Sequence, residues 1–254
     1  MGPLHDQVQK SMCTVTFIPA GKHSFFTSSR DEHADRPPSL FPEIYTVNGN
    51  RVLYPKDPKG GGTWIAVNEN GHAGIILNGA IKAHTPEASY RKSRGLILVD
   101  LMSVLSPADR FEETDFNGIE PFTVILFENK NLYSGKWDGQ MKWLESLNAN
   151  KLHIWSSVTL YDPAAIRKRE GWFQKWLSEN TYPGSLDIIH FHQKGGDGDP
   201  FNDIMMNRDH KYFTNSISSI RLSPESASFR YLDLRTGKAA ETFLALQKSV
   251  LVKA

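Results

Sequence analysis

Apolar and polar positions alternate through "CTVT" (residues 13–16) at the start of "CTVTFI" (13–18), and this run and "SFFTSS" (24–29) are both rich in strand-forming residues. Pro19 and Gly21 lie between the two runs, so they read as an antiparallel hairpin that begins at Cys13. From His33 to Gly62 the alternation gives way to Pro37, Pro38, Pro42, Pro55 and Pro58, with Phe41, Tyr45 and Tyr54 among them. That stretch is expected to be irregular, yet too aromatic for a loose linker. "TWIAVN" and "AGIILN" flank Asn70-Gly71 and read as a second hairpin, and "FTVILFEN" with "KNLYSGKW" as a third β pair.

The period changes in "RKSRGLILVDLMSVLS", where Leu96, Val99, Met102 and Leu105 fall at helical spacing. After a strand-like "KLHIWSSVTLY", Asp162-Pro163 is a helix start, an N-cap followed by proline at the first helical position. Ile166, Phe173, Trp176 and Leu177 give that helix its apolar face, and "YPGSLDIIHFHQ" reads as another helix. "GGDGDPFND" is expected to be an exposed loop, and "NSISSIRLS" and "SFRYLDLRTG" two closing strands. The order of elements predicts an α+β fold of two antiparallel sheets with helices outside, without internal repeats or a domain boundary.

Charge removes some functions from consideration. Lys and Arg total 29 against 28 Asp and Glu, so no electrostatic case exists for nucleic acid or an acidic membrane surface. The single cysteine of the 254 residues excludes an internal disulfide and suits a reducing compartment. No apolar run reaches membrane-spanning length, and "MGPLHDQVQKS" has no signal-peptide core, so a soluble, cytoplasmic protein is expected. No cofactor or metal is expected either. His190 and His192 point apart on a helix, "KGGGTW" lacks the ending of a phosphate loop, and Phe201 stands where a calcium loop needs an oxygen ligand. Trp137, Trp143, Trp155, Trp172 and Trp176 are expected to pack core and rim, a few of them lining a cleft for an apolar ligand.

The candidate chemistry centres on Cys13, which directly follows Met12. A lone cysteine at the start of a strand is most simply a small buried hydrophobe. A chain beginning at Cys13 would instead join a thiol and a free α-amino group in one residue, a self-contained nucleophile and base. Residues 1–12 are accordingly expected to be an extension to a single domain of residues 13–254, lost through translation from Met12 or through self-cleavage.

Met12-Cys13, Ser29-Arg30-Asp31-Glu32, Arg36-Pro37, Gly61-Gly62-Thr63-Trp64, Ser93-Arg94-Gly95 and Phe116-Asn117-Gly118 together resemble the landmarks of the NRDE family, also called the transport and Golgi organisation 2 family. Ser29 replaces the first letter of its name. That family is similar to N-terminal-nucleophile hydrolases of the bile-salt hydrolase and penicillin acylase type. The resemblance implies a four-layer αββα sandwich with Cys13 as nucleophile, Arg30 and Asp31 holding it and its amino group, and Asn78 as oxyanion-hole amide. Ser157 stands where those hydrolases carry a second asparagine, and Asn215 where a late active-site arginine is sought; Arg221 is the nearest arginine. The implied function is hydrolysis of a non-peptide amide bearing an apolar acyl group. The alternatives are a non-catalytic lipid- or haem-binding trafficking protein on the same scaffold, or a protein whose Cys13 only packs.

Overall fold

The computed structural model describes residues 12–159 and 161–247, with Met12 described by its backbone alone. The expected extension therefore lies outside the described residues except for Met12.

The first hairpin forms as its alternation predicts. β1 (Met12–Ala20) pairs antiparallel with β2 (His23–His33), with Cys13 opposite Arg30 and Phe17 opposite Phe26. The stretch expected to be irregular contains a hairpin instead, β3 (Leu40–Val47) and β4 (Asn50–Lys56). Its turn is Asn48-Gly49, both at positive φ (51° and 80°), the geometry that matches the twist of tightly connected strands. The prolines are accommodated rather than disruptive. Pro42 and Pro55 sit where the β3–β4 register slips between Leu40 and Glu43, and β3 is an edge strand.

β5 (Ile65–Asn68) and β6 (Ala73–Asn78) form the second hairpin, with Gly71 at positive φ as the Asn-Gly turn requires. α1 (Arg94–Met102) is capped by Ser93, whose hydroxyl accepts from the Leu96 N–H. It ends before Leu105, which is exposed rather than on the helix face. α2 (Pro107–Glu113) follows, capped by Ser106. β7 (Phe122–Glu128), β8 (Asn131–Trp137) and β9 (Lys142–Leu147) complete one sheet in the order β3-β4-β5-β6-β7-β8-β9.

The strand-like stretch near residue 155 is shorter than expected, β10 (His153–Ser156). α3 (Pro163–Glu179) starts at the predicted Asp162 cap, and α4 (Ser185–Lys194) follows. β11 (Asn207–Arg208), β12 (Tyr212–Leu222), β13 (Ser226–Asp233) and β14 (Ala239–Ala245) close the described chain. The other sheet runs β10-β1-β2-β12-β13-β14, with β11 beside β12, and all pairings in both sheets are antiparallel.

The sheets face one another, β6 against β1 and β3 against β13 and β14. α1 and α2 cover the outside of one, and α3 and α4 the outside of the other, giving the αββα layering. β1 serves both interiors. Cys13, Val15 and Phe17 enter the core between the sheets, while Ile18 joins Phe25, Phe173, Ile188 and Phe191 beneath α3 and α4. No helix among the described residues is long and apolar enough to cross a membrane.

Candidate active site

Two close backbone approaches shape a cleft at the Cys13 end of the sandwich. Gly62 and Gly95 touch so closely that a Cβ on Gly62 would lie 2.1 Å from the Gly95 carbonyl carbon. "GGTW" and "SRG" therefore act as a matched pair that docks the start of α1 onto the strand leading into β5. Gly79, at φ +78°, turns the chain after Asn78, where a Cβ would come within 2.8 Å of Val158 and Thr159.

Segment 157–159 joins the two sheets at this point. The Ser157 N–H donates to the Cys13 carbonyl (3.1 Å), and its hydroxyl donates to the Asn78 carbonyl (2.7 Å). Cys13, Arg30 and Asn78 consequently line one cleft of about 410 Å³, together with Trp64, Ile76, Tyr90 and Arg94.

The residues of the Ser29–Glu32 motif divide between the two faces of β2, because successive side chains on a strand point oppositely. Arg30 and Glu32 belong to the cleft side. Arg30 donates through Nη2 to Glu32 (3.0 Å) and to Asp57 (3.1 Å), and Arg36 also grips Asp57. Burial pushes the Asp57 carboxyl up, but the hydrogen bond from Arg36 and the charges of Arg30 and Arg36 outweigh it and hold Asp57 below its usual range.

Ser29 and Asp31 point beneath the helices. Ser29 bonds His192 Nδ1 (2.8 Å), whose Nε2 meets Thr16 (2.9 Å). Asp31 accepts from the hydroxyls of Tyr161 (2.7 Å) and Thr214 (2.5 Å). Arg169 stacks over Tyr161, its guanidinium carbon 3.5 Å from the ring centre, and donates to Thr14 and to the carbonyls of Asn202 and Asp203. Burial dominates Asp31 and raises it to about 6, against the opposing pull of the Arg169 charge and the two hydroxyls. Asp31 stands opposite Met12 across the strand pair and does not line the cleft.

The remaining candidates also fall outside the cleft wall. Ser157 faces a neighbouring pocket of about 170 Å³, which shares Asn78 with the cleft. Asn215 is buried at the irregularity of β12 between Thr214 and Ser216, where its side-chain oxygen accepts from Ser216 (3.2 Å). Arg221 is exposed and meets His23 (3.1 Å). Besides Arg30 and Arg36, the cleft is lined by Arg94, paired with Glu120 at 2.9 Å. Asp57, Tyr161, Arg169 and Thr214 were not among the predicted site residues. Arg169 carried a signal, since it lies on the Ile166–Phe173 face of an otherwise apolar stripe. No three His, Cys, Asp or Glu side chains come together as a metal site among the described residues.

Burial and then the Asp31 charge push the Cys13 thiol up to about 12, against the pull of Arg30. With residue 12 attached, it is a protonated thiol at neutral pH.

The architecture resembles the N-terminal-nucleophile hydrolases. A variant of the conjugated bile acid hydrolase from Clostridium perfringens superposes with a TM-score of 0.59 at 11% identity, over 91% of this chain and 92% of that one. Penicillin V acylase from Agrobacterium tumefaciens gives 0.54 at 10% identity, over 90% and 85%. The N-acylethanolamine-hydrolyzing acid amidase ortholog from Caenorhabditis elegans gives 0.53 at 10% identity, over 82% and 92%. At these identities the likeness establishes the fold alone. Residues 12–227 match the model of the Transport and Golgi organisation 2 family, and the chain belongs to that family. No curated protein matches the sequence.

Proposed function

We propose that this protein is a cysteine N-terminal-nucleophile hydrolase that cleaves a non-peptide amide bond of an apolar acyl substrate, acting once Cys13 has become the first residue. The observation that carries this reading is the meeting of Cys13, Arg30 and Asn78 in one cleft at the junction of the two sheets. The folds it resembles include a bile acid hydrolase, an acylase and an acid amidase.

In this mechanism residues 1–12 are removed from a domain spanning 13–254. The exposed α-amine, of ordinary pKa about 7.7–8.0, then takes the proton from the Cys13 thiol. The thiolate, favoured by the Arg30 guanidinium, attacks the acyl carbonyl, and the Asn78 amide stabilises the oxyanion. Collapse breaks the C–N bond, the leaving amine receives the proton from the α-ammonium, and water cleaves the resulting thioester. Asp31, opposite residue 12 and already held by Tyr161 and Thr214, supplies the carboxylate that orients the new ammonium group. Ile76 and Tyr90 offer the apolar wall for the acyl group. A lone thiol without an internal disulfide partner is compatible with a reducing compartment such as the cytoplasm.

A second reading has its own support. While residue 12 remains attached, the nitrogen is an amide, and the Cys13 thiol stays protonated behind an intact cleft. That state is a binding protein for a lipid- or haem-like ligand. Three chains separate the readings: the full sequence, one beginning at Cys13, and the latter with Cys13→Ala. Rapid labelling of the second alone by a thiol-reactive acyl probe is expected for the hydrolase. Equal labelling with and without the prefix makes Cys13 an ordinary thiol and leaves the binding protein.

A further inference from the structure

The cations that line the cleft are already paired. Arg30 is paired with Glu32 and Asp57, Arg36 with Asp57, Arg94 with Glu120, and Lys92 with Asp100. Two donor atoms are left over. Nη1 of Arg30 and the indole Nε1 of Trp64 are both buried and meet no acceptor among the described residues. The residues themselves are 2% and 6% exposed, and both line the cleft.

They are also one unit. The Arg30 guanidinium carbon lies 4.6 Å from the Trp64 ring centre, so a cation stacks on the indole face while its Nη2 is fixed by the two carboxylates. A buried indole N–H as a rule finds an acceptor, and a guanidinium offers none. A molecule bound in the cleft would supply the acceptor that this stacked pair lacks.

We infer that Trp64 and Arg30 form an oxygen-acceptor subsite, separate from the carbonyl that would be attacked by Cys13. The ligand is then an acyl amide carrying a second carbonyl or carboxylate oxygen close to the amide bond, not a purely apolar chain. This rests on the cleft being the ligand site proposed above, and not on Cys13 being catalytic. Because the cations around it are already paired, the subsite calls for an acceptor rather than for net negative charge, and a neutral carbonyl serves as well as a carboxylate. Arg30 also faces Cys13 across the strand pair, so Trp64 is the residue that reports on the subsite alone.

The test is equilibrium binding by the full chain carrying Cys13→Ala, which can do no thiol chemistry. Three probes share one acyl chain: N-octanoylglycinamide, with a second neutral carbonyl; N-octanoylglycine, with a carboxylate; and N-propyloctanamide, with neither. The first two are expected to bind about tenfold more tightly than the third, the discrimination of one buried hydrogen-bonding site. Adding Trp64→Phe keeps a ring in place and deletes the N–H. It should cut the preference, taken as the ratio of affinities within the same variant, to below about threefold. An undiminished preference after Trp64→Phe, equal binding of all three probes, or binding of none of them overturns the subsite; binding of the carboxylate alone overturns its neutral-acceptor character. Should Trp64→Phe not fold, the indole N–H resonances of the Cys13→Ala chain answer the same question. The Trp64 signal should move with N-octanoylglycinamide and stay with N-propyloctanamide, and a signal that moves with neither overturns the proposal. The acyl-labelling experiment reports separately on catalysis, so failure of either idea leaves the other standing.

Discussion

The two faces of β2 carry adjacent residues of one motif into opposite surroundings. On one face Arg30 and Glu32 join Arg36 and Asp57 in a network of full charges along an open cleft. On the other, Asp31 and Ser29 are sealed beneath α3 and α4, with hydroxyls, a neutral imidazole and the cations Arg169 and Arg208 around them. The cleft side holds Asp57 below its usual range with two arginines, against its burial. On the sealed side burial outweighs the hydroxyls and the arginine charges, so the Asp31 pKa rises. The difference separates a carboxylate held by arginines along the cleft from one sealed beneath the helices.

Arg169 should give the largest effect if this contrast is right. Arg169→Met removes the stacking on Tyr161 and leaves the Thr14 hydroxyl and two carbonyls without their donor. A loss of about 4 kcal/mol in urea unfolding is expected, from several hydrogen bonds to a buried charge. A loss below about 1 kcal/mol would show that the sealed face is no more rigid than the cleft.

The pH dependence should then separate the two faces by sign. Asp31 titrates at about 6 in the folded chain, against about 3.9 when unfolded. Between those values the folded state holds the extra proton, so its contribution is fully present below the unfolded pKa and is lost as pH rises through the folded one. Relative to Asp31→Asn, the parent chain should gain roughly 2–3 kcal/mol between pH 7 and pH 4. Asp57 is shifted downward, so its contribution is present above the unfolded pKa and lost as pH falls through the folded one. Relative to Asp57→Asn, the parent chain should weaken on acidification. Urea melts at stepped pH read both differences, and two slopes of the same sign would dissolve the comparison.

The smallest effect belongs to Arg36→Ala. It faces the cleft with its side chain 18% exposed, and it leaves Arg30 in place on Asp57. About 1 kcal/mol is expected in the same unfolding measurement. A cost equal to that of Arg169→Met would mean that the cleft network, too, is structural.

Much of the fold was legible wherever a strand had one apolar face and one clear turn. β1 and β2, the Asn70-Gly71 hairpin and the Asp162-Pro163 helix start all formed where the pattern placed them. The β3–β4 hairpin was missed because prolines were weighed above Asn48-Gly49, a turn signal as strong as the one at Asn70. β9 and β14 are edge strands with mostly half-exposed residues, so neither carries a marked apolar alternation. The site was legible in part. Landmarks pointed to Cys13, Arg30 and Asn78, which line one cleft, while the period of two turns Asp31 to the other face of β2. Thr214 and Tyr161 are far from Asp31 in sequence and carry no local mark of their contact with it.

Ser157 has a consequence for motion. Its amide hydrogen is held by the Cys13 carbonyl of one sheet, while its hydroxyl reaches the Asn78 carbonyl of the other. Freeing that hydrogen requires β1 to part from segment 157–159 at the seam where both sheets meet. The Ser157 amide should therefore exchange with solvent deuterium as slowly as the innermost strands, on the timescale of global opening. A slow exchanger outside any strand or helix would make this one position a clock for separation of the whole sandwich.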